Sequence, residues 1–285
     1  MIFIFEKIEF SKEDIEFILK EYDSGVSLKN IGKHFNCTRK PIKRVIIENG
    51  GTIRSNYCQK YALNHNYFDS IDTTNKAYIL GFLYADGCNI INESKWQYQW
   101  QLALKADDFE ILQDIRNEIG YDGPISIEKR KYRGNIFGNV ARLIVCNKHM
   151  CLKLLECGVV PNKTYITSFP KWLNDGLVPH FIRGVFDGDG CIDKQGHASF
   201  AGSKTFVEEI AEILRNECGL KCNLYQCKQS LCTWQCHMSG KINAKIFLDW
   251  IYKDADLKLE RKFKRYIDAY YPNSNVNVAK AEKSA

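Results

Sequence analysis

The chain has no apolar run approaching the ~18 residues that a membrane-crossing helix requires, which excludes a protein built around such spans. Its opening residues Met1-Ile2-Phe3-Ile4-Phe5-Glu6 are too short and wrongly flanked for a secretory signal, so the chain is expected to stay in a cytosol-like compartment. Cysteine is sparse: 12 in 285 residues, about 4%, falls below the ~8–10% of small disulfide scaffolds, and free thiols are expected. Five cysteines crowd between Cys218 and Cys236 beside His237, but no CxxC pair occurs among them. Cys232, Trp234, Cys236 and Met238 alternate as the buried face of a strand would, so core packing is expected there in preference to zinc.

Charge of one sign is also missing locally. Residues 29–60 carry Lys29, Lys33, Arg39, Lys40, Lys43, Arg44, Arg54 and Lys60 against Glu48 alone, although the whole chain is only +6. The first 28 residues hold three lysines and seven acids. A basic block of this kind is the electrostatic footprint of a polyanion partner.

Ser11 is placed to cap a helix that turns Ile15, Ile18 and Leu19 inward and stops at Ser24-Gly25. Ser27 opens a second helix with Leu28, Ile31 and Phe35 on one side, ending at Asn36-Cys37. Thr38 opens a third, in which Ile42, Val45 and Ile46 are spaced for burial and Pro41 falls in the tolerant first turn. The start of this third helix presents Arg39, Lys40, Lys43 and Arg44, the layout of a helix-turn-helix for the major groove. Residues 11–56 resemble the DNA-binding modules of resolvase-type recombinases.

The strongest signal is an internal repeat. Ile79-Leu80-Gly81-Phe82-Leu83-Tyr84-Ala85-Asp86-Gly87-Cys88 and Ile182-Arg183-Gly184-Val185-Phe186-Asp187-Gly188-Asp189-Gly190-Cys191 agree at five of ten positions, 103 residues apart. Solenoid repeats run ~20–50 residues, so this offset marks a duplicated half-domain. Small residues four apart, Gly81 and Ala85 in one copy and Gly184 and Gly188 in the other, form a stripe on each helix. Two such stripes let the helices pack with backbones nearly touching and end together at Asp86 and Asp189, with Gly87 and Gly190 expected in the left-handed conformation. Paired carboxylates at helix C-termini repel, so a cation is needed between them. Oxygen-only ligands suit Mg²⁺ or Mn²⁺ pressed against a phosphodiester.

Both segments resemble the motif of the LAGLIDADG homing endonucleases, and the likeness extends over residues 75 to about 272. The resemblance implies an α+β fold: a pseudo-symmetric, duplicated αββαββα core whose antiparallel β saddle grips DNA, preceded here by a small all-α helix-turn-helix domain. The domain expectation is 1–60 for the helix-turn-helix, 61–74 for a linker, 75–160 and 161–272 for the two halves, and 273–285 for a flexible tail. Asp86 and Asp189 are implied as metal ligands with the Gly87 and Gly190 backbones. Tyr84 departs from the acid often found two residues before the ligand, a position Asp187 keeps. The implied basic residue of each centre is Lys163 in one half; in the other, Lys262 is favoured over Arg261.

Gln97, Gln99 and Gln101 alternate with Trp96, Tyr98, Trp100, Leu102 and Leu104, which puts a row of amides on the polar face of a strand, where glutamine can pair with adenine. Thr233, Gln235 and His237 oppose the apolar face in the second half, and Lys129, Arg130, Lys131, Arg133 and Arg142 offer phosphate or guanine contacts. The expectation is a monomeric, metal-dependent double-strand DNA endonuclease with a long, non-palindromic target, acting on nucleoid or organellar DNA without a membrane partner. The alternatives are a cleavage-silent transcription regulator and a maturase that holds intron RNA on the same saddle.

Overall fold

The computed structural model describes residues 8–24, 26–51, 53, 61–132, 135–160, 167–228, 230 and 232–272. The chain forms two compact units, Met1–Cys58 and Gln59–Ala285. None of the described helices is long and apolar enough to cross a membrane.

The first unit contains α1 (Lys12–Asp23), α2 (Leu28–His34) and α3 (Arg39–Glu48). Ser11 closes a full capping box with Asp14, and Ser27 caps α2 by accepting from the Asn30 amide. Thr38 precedes α3 without a side-chain cap bond. Ile18, Tyr22, Ile31, Ile42, Val45 and Ile46 make a core with Ile15, Leu19, Leu28 and Phe35 half-buried around it. Gly32 is needed by close approach: a Cβ there would lie 2.8 Å from the Cys37 carbonyl oxygen in the turn between α2 and α3. Gly25, expected to end α1, lies outside the described residues.

The second unit repeats one topology. Its first half runs α4 (Thr74–Ala85), β1 (Gly87–Asn92), β2 (Gln97–Lys105), α5 (Phe109–Glu118), β3 (Ile125–Tyr132), β4 (Asn135–Val145) and α6 (Lys148–Glu156). The second runs α7 (Val178–Asp189), β5 (Gly190–Ile192), β6 (Ala198–Gly202), α8 (Lys204–Cys218), β7 (Cys222–Gln226), β8 (Trp234–Met238) and α9 (Gly240–Tyr252), and α10 (Glu260–Tyr270) follows. Each sheet is antiparallel, in the orders β1-β2-β4-β3 and β5-β6-β8-β7, and this α+β architecture is the duplicated αββαββα pattern expected. In the first sheet Trp100, Leu102, Leu143 and Val145 go to zero exposure beneath α5 and α6. Phe200, Cys236 and Met238 are buried in the second, beneath α8 and α9.

Candidate active site and nucleic-acid interface

Helices α4 and α7 meet along their glycines. A Cβ on Gly81 would lie 2.0 Å from the Phe181 carbonyl oxygen, one on Gly184 2.1 Å from the Tyr78 oxygen, and one on Gly188 2.3 Å from the Ala85 Cβ. Only hydrogen fits at these positions, so the two backbones are in direct contact as the small-residue stripe requires. The same contact aligns the helix ends: the Cβ position of Gly188 is 3.3 Å from Asp86 Oδ2, beside Asp189. Both aspartates are exposed, whereas the helices above them are almost wholly buried. A cleft of 280 Å³ opens next to Asp189 between Tyr84, Thr167, Ser203, Phe206 and Thr233.

The glycines after the aspartates correct one expectation. Gly190 is extended (φ −89°, ψ 164°), and Gly87 is not among the positive-φ residues. Glycine is required here by crowding: a Cβ on Gly87 would sit 2.5 Å from the Leu83 oxygen, and one on Gly190 2.4 Å from the Phe186 oxygen. The strand leaves the helix so sharply that it passes against the carbonyls of the last turn.

A cation does stand at this end of the helix pair, supplied by the chain. Lys262, only 3% exposed, donates from Nζ to the carbonyls of Phe186 (2.7 Å), Asp187 (2.8 Å) and Gly188 (3.2 Å). All three of its hydrogens are spent on the negative end of α7. Burial pushes this ammonium down to about 8, against the charges of Asp187, Asp86 and Asp189, which favour protonation. Arg261 turns away and donates from Nε to both oxygens of Asp108 at 2.9 and 3.0 Å. Of the two candidates at this place, Lys262 is therefore the one held at the end of α7. Lys163 lies outside the described residues.

Behind Lys262 lies a buried polar cluster that sequence reasoning did not assemble. Asp187, 1% exposed, accepts from Tyr252 (2.7 Å), the Leu259 amide (2.8 Å) and Tyr78 (2.9 Å). Burial raises its pKa, and these hydrogen bonds with Lys262 work in the opposite direction. Arg183, fully buried, donates to the Leu257 and Ile251 carbonyls and lies over the Tyr78 ring. The available signal was two ionisable residues, Arg183 and Asp187, within the buried stretch of the helix, and such residues almost never stay buried without partners. In the first half the corresponding side chain is Tyr84, whose hydroxyl donates to the Cys157 carbonyl at 2.6 Å.

The faces of the sheets away from the helices are polar. Gln97 is exposed and Gln99 and Gln101 half-buried on β2, opposite buried Tyr98, Trp100, Leu102 and Leu104, as the alternation implied. Trp96 departs from that pattern: it stands in the β1–β2 turn with φ +50°, 64% exposed, with Lys148 over its ring. Arg142 on β4 is half-buried and Lys129 on β3 exposed. Arg130 and Lys131 belong to β3, but their side chains, like all of Arg133, fall outside the described residues. In the second sheet Gln235 and His237 are half-buried and share a 3.0 Å hydrogen bond. Cys236 is buried as expected, but Cys232 is exposed in a turn before β8, because the strand begins only at Trp234. The described cysteines are all free, and no group of three or more His, Cys, Asp or Glu suited to a metal occurs among the described residues.

In the first unit Arg39, Lys40 and Lys43 are exposed along the start of α3. Arg44 is partly committed: it donates to the Ile8 carbonyl at 2.6 Å and stands 3.8 Å from Glu48.

No family model and no curated protein matches the chain. Homing endonucleases are among the solved structures similar to it. Mesophilic variants of I-DmoI are 15% identical over 66% of this chain and 97% of theirs, with a TM-score of 0.44. I-WcaI bound to its DNA recognition sequence is 15% identical over 69% and 90%, with a TM-score of 0.49. A mutant of I-SmaMI is 11% identical over 66% and 87%, with a TM-score of 0.42.

Proposed function

We propose that this protein is a site-specific DNA endonuclease that cuts both strands of a long, non-palindromic duplex target with the help of a divalent cation. The observation that carries the reading is the meeting of two exposed carboxylates, Asp86 and Asp189, at the ends of helices held backbone to backbone by Gly81, Gly184 and Gly188. A polar sheet face extends from each helix end.

The donor set fits Mg²⁺ or Mn²⁺. It offers carboxylate oxygens and the Gly87 and Gly190 carbonyls and lacks histidine or thiolate ligands, and Mg²⁺ keeps several waters and takes phosphate oxygens readily. A divalent cation held there would offset phosphate charge and make water easier to deprotonate. The protein's own part is positional. The glycine contact fixes the spacing of the carboxylates, and Lys262 lowers the negative potential of the α7 terminus as a buried charge, since its hydrogens are already used. Lys163 is proposed to serve the other centre.

Gln97, Gln99, Gln101, Arg130 and Arg142 on one sheet and Gln235 and His237 on the other are proposed to face the bases. Arg39, Lys40, Lys43 and Arg44 are proposed to bind a second stretch of duplex, raising affinity through effective concentration. The test is incubation of the purified protein with Mg²⁺ and a randomised duplex library, followed by sequencing of cut ends. Asp86→Asn and Asp189→Asn are each expected to abolish double-strand cutting while DNA affinity survives. Cutting at the wild-type rate by either variant would remove that carboxylate from the chemistry.

A further inference from the structure

Strand register shows which residues of the two halves correspond. The glycine after each aspartate pairs with an apolar residue on the next strand, Gly87 with Leu102 and Gly190 with Phe200. One step further along, Ala103 pairs with Arg142 and Ala201 pairs with Gln235. Arg142 and Gln235 therefore hold the same place in the two sheets, close to the carboxylate end, and their chemistry differs.

Arg142 is also held in place. Its Nη1 donates to Gln101 Oε1 at 3.2 Å from β2, and its Nη2 lies 3.9 Å from Glu128 Oε2 on β3. The first contact engages one hydrogen of Nη1, while the second is an ion pair too long for a hydrogen bond, so a hydrogen remains on each terminal nitrogen, the parallel pair that matches two acceptors. Its Cα partners on either side, Ala103 and Ser126, carry short side chains. In the second half Gln235 has its Oε1 against His237 Nε2 at 3.0 Å, and the residue equivalent to Gln101 is Ser199, which is too short to brace it.

Building on the nuclease reading, we infer that Arg142 reads one guanine in the half-site under the first sheet, and that the second half-site has no guanine requirement at the corresponding position. Guanine is the base whose O6 and N7 accept two parallel hydrogen bonds in the major groove. Gln101 braces this contact, its carbonyl oxygen accepting from Arg142. The mirror position, Gln235, is where the target departs from a palindrome.

The full-length protein, with Arg142→Gln, Arg142→Lys and Gln101→Ala variants, would be run with Mg²⁺ against the randomised duplex library and the cut ends sequenced. The wild type is expected to show a guanine at a single position of one half-site, preferred about ten- to hundredfold. Arg142→Gln should relax that position or move it to adenine and leave the rest of the profile intact. Arg142→Lys should keep cutting with a weakened guanine preference, since lysine lacks the fork. Gln101→Ala should keep the guanine with lower discrimination. An unchanged profile in Arg142→Gln, or a uniform loss over all sequences as a phosphate contact would give, overturns the inference. If the wild type cuts nothing, the nuclease reading fails by itself, and rounds of binding selection with the same proteins and library decide the role of Arg142 separately.

Discussion

Gly81→Ala tests the idea that a helix contact sets the spacing of the carboxylates. The added Cβ would fall 2.0 Å from the Phe181 oxygen, 2.9 Å from its carbon and 3.1 Å from the Val185 nitrogen. All three are backbone atoms, so no rotamer change can relieve the clash. Restoring ordinary contact at 3.4 Å requires the helices to part by about 1.4 Å. Overpacking of a core costs about 1–3 kcal/mol, and a separation this large belongs at or above the top of that range. Alanine returns about 1 kcal/mol of helix preference over glycine, leaving a net loss of about 2 kcal/mol. For a unit of this size that lowers Tm by about 4–8 °C and leaves the protein folded at 25 °C. Activity should fall much further, because displacing reacting groups by about 1 Å costs on the order of a hundredfold in rate. Thermal unfolding and single-turnover cleavage at 25 °C, with Gly176→Ala as a control whose Cβ would approach only Asn174 Oδ1 at 3.3 Å, separate the two effects. A Tm drop with cleavage unchanged would refute the link between helix contact and chemistry.

Lys262→Met strips the donor from three α7 carbonyls and leaves buried Asp187 without its nearby cation, so denaturant unfolding should show a loss of about 3 kcal/mol with cleavage slowed at one strand more than the other. Asp249 is pulled below the usual carboxylate range: burial acts to raise it, but hydrogen bonds from Lys245, Tyr266 and Tyr271 outweigh that. A depressed folded-state value contributes stability above the unfolded pKa and loses it as pH falls, so Asp249→Asn should destabilise at pH 7 and its deficit should shrink below about pH 4 in thermal scans. Ser11→Ala removes the cap of α1 and should cost about 1 kcal/mol in the first unit, read as faster hydrogen exchange at the Asp14 amide.

Much of this was legible because the informative residues obey short-range rules. Ser11 and Ser27 cap the helices they precede, and the period-two pattern from Tyr98 to Leu104 buries one face as written. The duplicated glycine stripe showed which helices must touch, since only a close approach of backbones calls for small residues four apart. The misreadings came from tertiary context. Gly87 and Gly190 were expected to need a positive φ, yet crowding against the preceding turn requires them. Trp96 and Cys232 sat in phase with their strands but fall in turns, where the alternation no longer applies. Asp187 looked incidental because its partners, Tyr78, Tyr252 and Leu259, lie 109, 65 and 72 residues away in the chain. No local pattern announces a cluster of that kind.

The clasp formed by α10 bears on how the molecule is made. Arg261 reaches Asp108 in the first half while its neighbour Lys262 grips the end of α7.

 Leu259, at the head of the same segment, gives its amide to Asp187. A ribosome adds these residues after everything else in the two halves, so the nascent chain carries both aspartates long before the lysine that binds the carbonyls at the end of α7. Synthesis thus supplies this lysine only after the strands of both sheets have been made, and a product truncated before Glu260 would keep both sheets while lacking the residue that satisfies the last carbonyls of α7.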